Sequence, residues 1–284
     1  MEIERWAEKG RMVTVLNKEL FVIDQGKSEN ALVILHGYAT SSIDYYKILP
    51  ELSKHYRVVI QDFVGFGFSD KPKDHHFNIL EQADVTLELW RLLELKNITL
   101  LSHNYGTHVA LEILARQKVL VDKINISNLI FLNNTISFDH TNITEEMINP
   151  LQEFSKKIRL MHISFSFYKP KIKDFFFDKS ILSETDIKSK WELMEHKNGR
   201  EILDFIPNYS TETKLLWNRW FNTINKNVIP AKIIIGKNDS IFNKNEAEHF
   251  SKELKESTLD FINDCGHYPM LEKPNELVAL ILNS

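Results

Sequence analysis

Leu100-Leu101-Ser102-His103-Asn104-Tyr105-Gly106 is the stretch on which the chain turns. An apolar run from Ile98 to Leu101 meets a tight polar turn. A helix-like stretch follows, Thr107 to Arg116, with Val109, Ala110, Ile113 and Leu114 on one face. Strand, sharp turn and helix in that order are the setting of a nucleophile elbow, where a strained residue holds its side chain clear of the sheet. The residue at its tip, between His103 and Tyr105, is Asn104. A neutral amide is not a nucleophile.

Outward from that stretch, strands and helices alternate. Arg11 to Leu16 and Glu19 to Asp24 read as an antiparallel pair turning at Asn17-Lys18 and closed by Gly26. Ala31 to Leu35 is an unbroken apolar run, as expected of a strand buried on both faces of a mostly parallel sheet. Asp44 to His55 reads as a helix, Arg57 to Gln61 as the next strand, and Asn78 to Glu81 as a capped helix start continued by Leu80, Ala83, Leu87 and Trp90. Strands are expected again at Asn128 to Leu132, Ala231 to Ile235 and Thr258 to Ile262, with a last helix from Pro274. This alternation predicts an α/β sheet with right-handed crossovers. Between Thr135 and Lys226 it lapses into several aromatic-rich helices, with Phe165 to Tyr168, Phe175 to Phe177 and Trp217 to Phe221 along them. The expected organisation is a core of residues 1–134 and 227–284 with residues 135–226 inserted as helices.

Composition narrows the function. At 284 residues, 43% hydrophobic and 26% charged, the chain can bury a full core. A formal net charge of −4 offers no overall basic footprint for a nucleic acid or an anionic membrane. The single Cys265 leaves no intramolecular disulfide and no cysteine-built metal site. The first residues, Met1 to Arg5, carry charges where a signal peptide has apolar ones, and no apolar run approaches bilayer length. The expectation is a soluble, cytoplasmic protein without a cofactor, acting on a small and largely apolar molecule. Nothing in the sequence indicates an oligomeric state.

Two further residues join the turn. Asp239 lies just past one expected strand and His267 just past the next. A nucleophile position, an acid and a histidine in that chain order, all at strand ends, match the α/β-hydrolase fold. His36-Gly37-Tyr38 follows an earlier strand, where such a fold supplies one backbone N–H to an anion hole. Tyr105, directly after the turn residue, supplies the other. His36, Gly37, Tyr168, Tyr209 and Trp220 are the expected substrate-lining residues. Gly65, Gly67, Asp62 and Ser69 read as structural members of the Asp62 to Asp70 loop.

Leu35 to Ser42, Asp62 to Pro72 and Leu101 to Gly106 closely resemble the mesoderm-specific transcript type of α/β-hydrolase. That group is similar to haloalkane dehalogenases and epoxide hydrolases. The resemblance implies an aspartate nucleophile, a histidine motif at Gly266-His267-Tyr268-Pro269, and a helical cap where Thr135 to Lys226 stands. It marks departures too: Asn104 where the group has aspartate, Ala39 for a usual proline, Thr107 for a small or acidic residue, and Tyr105 where dehalogenases carry a halide-holding tryptophan. The last favours epoxides over haloalkanes.

With aspartate at position 104 the implied path is an ester intermediate, hydrolysed by water that His267 activates under the guidance of Asp239. A cap tyrosine, Tyr168 or Tyr209, is a candidate to protonate an opening epoxide. With asparagine three explanations stand open: an engineered Asp→Asn change, slow conversion of Asn104 to aspartate by the protein's own His267, or a protein that binds a ligand or uses His267 as the base of a lyase or isomerase. Ser102, two residues before the tip, is expected to face its neighbours on the strand.

Overall fold

The computed structural model describes residues 1–73, 75–117, 124–134, 152–153, 156–203, 209–242 and 244–284. Its centre is an eight-stranded sheet: β1 (Gly10–Val15), β2 (Lys18–Gln25), β3 (Ala31–Leu35), β4 (Arg57–Gln61), β5 (Ile98–His103), β6 (Ile126–Leu132), β7 (Ala231–Gly236) and β8 (Ser257–Ile262). The strands lie in the order β1-β2-β4-β3-β5-β6-β7-β8. β2 pairs antiparallel with both β1 and β4, and every pairing from β4 through to β8 is parallel. β3 and β5 are buried along their whole length, which is why their sequences lack polar alternation. The edge strands β1 and β8 are half-exposed and alternate more.

Helices cover the sheet. The one at Ile79–Leu92 starts where Asn78 Oδ1 accepts the Glu81 N–H at 2.8 Å, the cap read from the sequence. Tyr105–Arg116 follows β5, and Pro274–Leu282 closes the chain. Between β6 and β7 the described residues include helices at Phe165–Ile172, Glu184–Glu195, Gly199–Ile202 and Tyr209–Asn225, and no strand.

That segment is tied to the core by buried charge. Glu112, on the helix after β5, accepts from Arg116 Nε at 2.8 Å, Arg219 Nη2 at 3.1 Å and Trp220 Nε1 at 3.0 Å. A second buried pair joins Lys190 to Asp44. Buried carboxylates survive only when paired in this way.

Two local expectations differ from the structure. Asp44 to His55 is no continuous helix but a 3₁₀ turn, Ser42–Tyr45, and a short helix, Leu49–Leu52. Pro50 has no N–H to carry the hydrogen-bond ladder across, and Asp44 is drawn aside by Thr40 Oγ1 at 2.5 Å and by Lys190. The first hairpin turns at Leu16 and Asn17, with φ of 46° and 62°, rather than at Asn17-Lys18. Two left-handed residues in succession fit the twist of a two-residue hairpin.

Candidate active site

The parallel strands all end on one edge of the sheet, and the chain after β3, β4, β5, β6, β7 and β8 meets there. β5 passes to its helix through one residue, Asn104, at φ 49° and ψ −115°. A non-glycine residue in such a conformation costs on the order of 1–3 kcal/mol, which the surrounding packing must supply. The turn is tight because backbones nearly touch. A Cβ on Gly106 would lie 2.3 Å from the Leu35 carbonyl oxygen, and one on Gly37 would lie 2.9 Å from His103 Nδ1 and 3.1 Å from Asn104 Cβ. Only glycine fits either place.

This compression points the Asn104 amide into a preset cradle. Its Oδ1 accepts the Tyr105 N–H at 2.7 Å and the Tyr38 N–H at 3.1 Å. Because two donors converge on that atom, it is the oxygen, and the nitrogen faces His267 Nε2 at 3.1 Å. An amide nitrogen can only donate. Nε2 therefore accepts, and the histidine proton sits on Nδ1, which donates to Asp239 Oδ2 at 2.8 Å.

Asp239 is held in turn. Asn133 Nδ2 donates to its Oδ2 at 2.6 Å, and the Ile241 N–H donates to its Oδ1 at 2.8 Å. Asn133 also accepts the Gly236 N–H at 3.1 Å, locking the ends of β6 and β7 together. The sequence singles out Asp239 and His267 but misses Asn133. Its position directly after β6 was the available signal; its role arises only because β6 and β7 are neighbours.

The anion-hole loop has its own brace. His36 Nδ1–H donates to the Gly37 carbonyl at 2.8 Å, and Nε2 accepts the Phe63 N–H at 3.0 Å. The Gly37 carbonyl and the Tyr38 N–H belong to one peptide unit, so holding the carbonyl aims the N–H at residue 104. Burial pushes the His36 pKa down, against the pull of Asp62, keeping the ring neutral for this double role. Ala39 follows at φ 57°, a value closed to proline, which gives the departure from the family pattern a backbone reason.

His267 is positioned from three sides. Its N–H donates to the Phe175 carbonyl at 2.8 Å, and its carbonyl accepts His103 Nε2–H at 3.0 Å. Glu272 ties the Gly266 N–H at 2.9 Å to the Phe177 N–H at 2.8 Å. Burial, followed by the neighbouring His267, pushes the His103 pKa well below its ordinary value. The His103 ring beside His267 therefore stays neutral. Neither His103 nor Glu272 was signalled by the sequence as part of the site.

The remaining expected residues are dispersed. Tyr168 is buried in the helical segment, its ring 5.6 Å from His162 and 5.3 Å from Trp191. Burial raises its phenol pKa, so it stays a hydrogen-bond donor. Trp220 is fully buried and spends its N–H on Glu112. Tyr209 begins a helix, and its side chain lies outside the described residues. Ser102 Oγ lies 3.3 Å from Thr107 Oγ1.

Taken as chemistry, the arrangement offers a polarised acyl oxygen, an accepting imidazole on the opposite atom of the same group, and a carboxylate behind it. These are the elements of acyl hydrolysis.

Comparison with known proteins gives the same architecture. A family model described as alpha/beta hydrolase fold matches residues 30–274. The human mesoderm-specific transcript homolog protein is 33% identical over 285 residues, covering 96% of this chain and 84% of its own. Among solved structures, haloalkane dehalogenase DbeA from Bradyrhizobium elkani superposes with a TM-score of 0.79 at 18% identity, covering 96% of each chain. Epoxide hydrolase CorEH does so at 0.73 and 16%, covering 96% of this chain and 97% of its own. Among the described residues no helix is long and apolar enough to cross a membrane.

Proposed function

The chain belongs to the alpha/beta hydrolase fold family, within the mesoderm-specific transcript type, and from that premise we propose that it is a hydrolase of a small, apolar electrophile, of epoxide-hydrolase or dehalogenase kind, latent while residue 104 is asparagine. One observation carries this reading: the Asn104 amide lies between the N–H groups of Tyr38 and Tyr105 on one atom and His267 Nε2 on the other. A carboxylate of the same shape would have one oxygen in the anion hole and the other free toward the substrate.

In an Asn104→Asp form, the free carboxylate oxygen attacks an electrophilic carbon, forming a C–O ester bond as the carbon–halide or epoxide C–O bond breaks. Water then attacks the ester carbonyl and gives its proton to His267 Nε2. Asp239 stabilises the resulting imidazolium, and the two N–H groups hold the oxyanion. Collapse expels the alcohol oxygen, which takes the proton from His267, and the carboxylic acid left at residue 104 gives its proton to solvent, restoring the carboxylate. The described helices between β6 and β7 act as the cap that shields these steps, with Tyr168 a neutral donor inside it.

With Asn104, the first step is absent, but the second has a substrate in place. The amide occupies the position of the ester: water attacks its carbon, the oxyanion forms in the same hole, and the proton taken by His267 passes to the departing nitrogen. The products are ammonia and an aspartate side chain at position 104. Latency is then temporary, and a pure binder would have no use for the Asp239–His267 pair.

The test compares the protein with Asn104→Asp over epoxides, haloalkanes and simple esters, following the mass of the peptide bearing residue 104. Turnover is expected in Asn104→Asp from the start. In the parent it should grow only as that peptide shows the amide-to-acid change. Equal inactivity of both forms would overturn the proposal.

A further inference from the structure

The overall charge of −4 conceals a strongly basic run. From 156 to 173 the chain carries Lys156, Lys157, Arg159, Lys169, Lys171 and Lys173 with no Asp or Glu among them, and the same run exposes large apolar side chains. Leu160 is 49% exposed and Phe167 44%, although both sit beside a buried core.

These features converge on one cavity of about 600 Å³, within the range of small-molecule sites. Its apolar lining is Leu160, Met161, Phe167, Phe175 and Ile241. Among the described residues, Lys156, Lys157 and Lys171 line it with one carboxylate, Glu153. Lys156 makes no ion pair among the described residues, Lys157 Nζ lies 4.4 Å from the centre of the Phe175 ring, and Lys171 has only Asp174 at 3.9 Å. Among the described lining residues three cations stand against one anion, with Asp174 outside the lining at the long distance of 3.9 Å from Lys171, and the balance is electropositive. Nothing in the catalytic arrangement uses them.

We propose that this cavity is a binding site for an anionic amphiphile: an alkyl chain laid against Leu160, Met161, Phe167 and Phe175, with a carboxylate or phosphate head held by Lys156, Lys157 and Lys171. Apolar area removed from water supplies the affinity, at roughly 25 cal/mol per Å². The lysines supply the sign preference, their apolar stems lying along the pocket wall while their charges reach the head group. The site is distinct from residue 104 and backs onto it: Phe175 lends its carbonyl to the His267 N–H, and Ile241 lends its N–H to Asp239. It stands independently of the ester chemistry, since binding requires no turnover.

The experiment is calorimetric titration of the Asn104 protein with dodecyl phosphate and with dodecanoate, each below its micellar concentration. Dodecyltrimethylammonium and dodecyl maltoside serve as cationic and neutral comparisons. Both anions should bind one to one, at least ten-fold more tightly than either comparison, with affinity falling as salt rises. Lys156→Glu/Lys171→Glu, at two exposed positions, should weaken the anions ten-fold or more and leave thermal stability unchanged. Leu160→Asn should weaken anionic and neutral chains alike. Equal affinity for all head groups, or anion binding untouched by the double lysine variant, would overturn the site. Capture by phosphatidylglycerol vesicles without binding of the monomers would overturn it too, assigning the patch to a bilayer surface.

Discussion

The strand-end edge of the sheet and the helical segment between β6 and β7 solve different problems with the same materials. At the edge, each polar group of the catalytic constellation has a named partner: Asn104 between Tyr38, Tyr105 and His267, and Asp239 between His267, Asn133 and Ile241. The helical segment instead carries packed aromatic rings, a basic run and a few buried ionic ties to the core. On the proposed reading the edge holds the reacting atoms still, and the segment encloses and attracts. Chemistry and selection of what arrives are therefore separable, and each can be broken without the other.

The largest expected effect lies at the edge. On the proposed mechanism, His267→Gln in the Asn104→Asp form removes the general base but leaves the nucleophile, so steady-state turnover should fall by roughly 10²–10⁴-fold. Thermal stability should be little changed, and burst kinetics would show the first step preserved. A loss of the burst as well would mean that His267 acts before the ester forms.

Next is the tie between the regions. Glu112→Ala strands the Trp220 N–H and removes the shared partner of Arg116 and Arg219. A cost of about 3 kcal/mol is expected from the denaturant midpoint, without a matching loss of chemistry in the molecules that remain folded. A smaller effect separates orientation from packing: Asn133→Ala should lower kcat of the Asn104→Asp form by roughly 10- to 100-fold, the worth of a hydrogen bond to a charged group, with KM nearly unchanged.

The smallest effect is a pH dependence where the helical segment meets the core. Glu212 accepts the Ile79 N–H, and burial raises its pKa from 4.5 to about 7. A carboxyl with a raised folded-state pKa holds its proton more tightly when folded. Its contribution to stability is present below about pH 4.5 and is lost as pH rises through about 7. Glu212→Gln should flatten that part of the melting-temperature profile while leaving the edge chemistry unaltered. An unchanged profile would place the titration elsewhere.

What the sequence discloses follows the same division. Ala31 to Leu35 and the run into Asn104 announce buried strands and a tight turn because their patterns are local, and Asp239 and His267 follow from strand ends in a known order. The role of Asn133 was hidden because its partner Asp239 lies far along the chain, and that of Glu272 because it joins the nearby Gly266 to the distant Phe177. The broken helix after Asp44 depended on Lys190, well over a hundred residues away, as well as on Pro50. The basic cavity was masked by averaging: a net charge sums the whole chain and erases a run that folds into one place.

Residue 104 as the bearer of the nucleophile and His267 as the base of the second step can be tested together. The measurement is the mass of the peptide carrying residue 104 after Asn104→Asp/His267→Gln is incubated with an epoxide that Asn104→Asp turns over. This peptide should gain the full mass of the epoxide and stay so modified. Finding it unmodified, while the single variant consumes the same epoxide, would contradict the covalent mechanism.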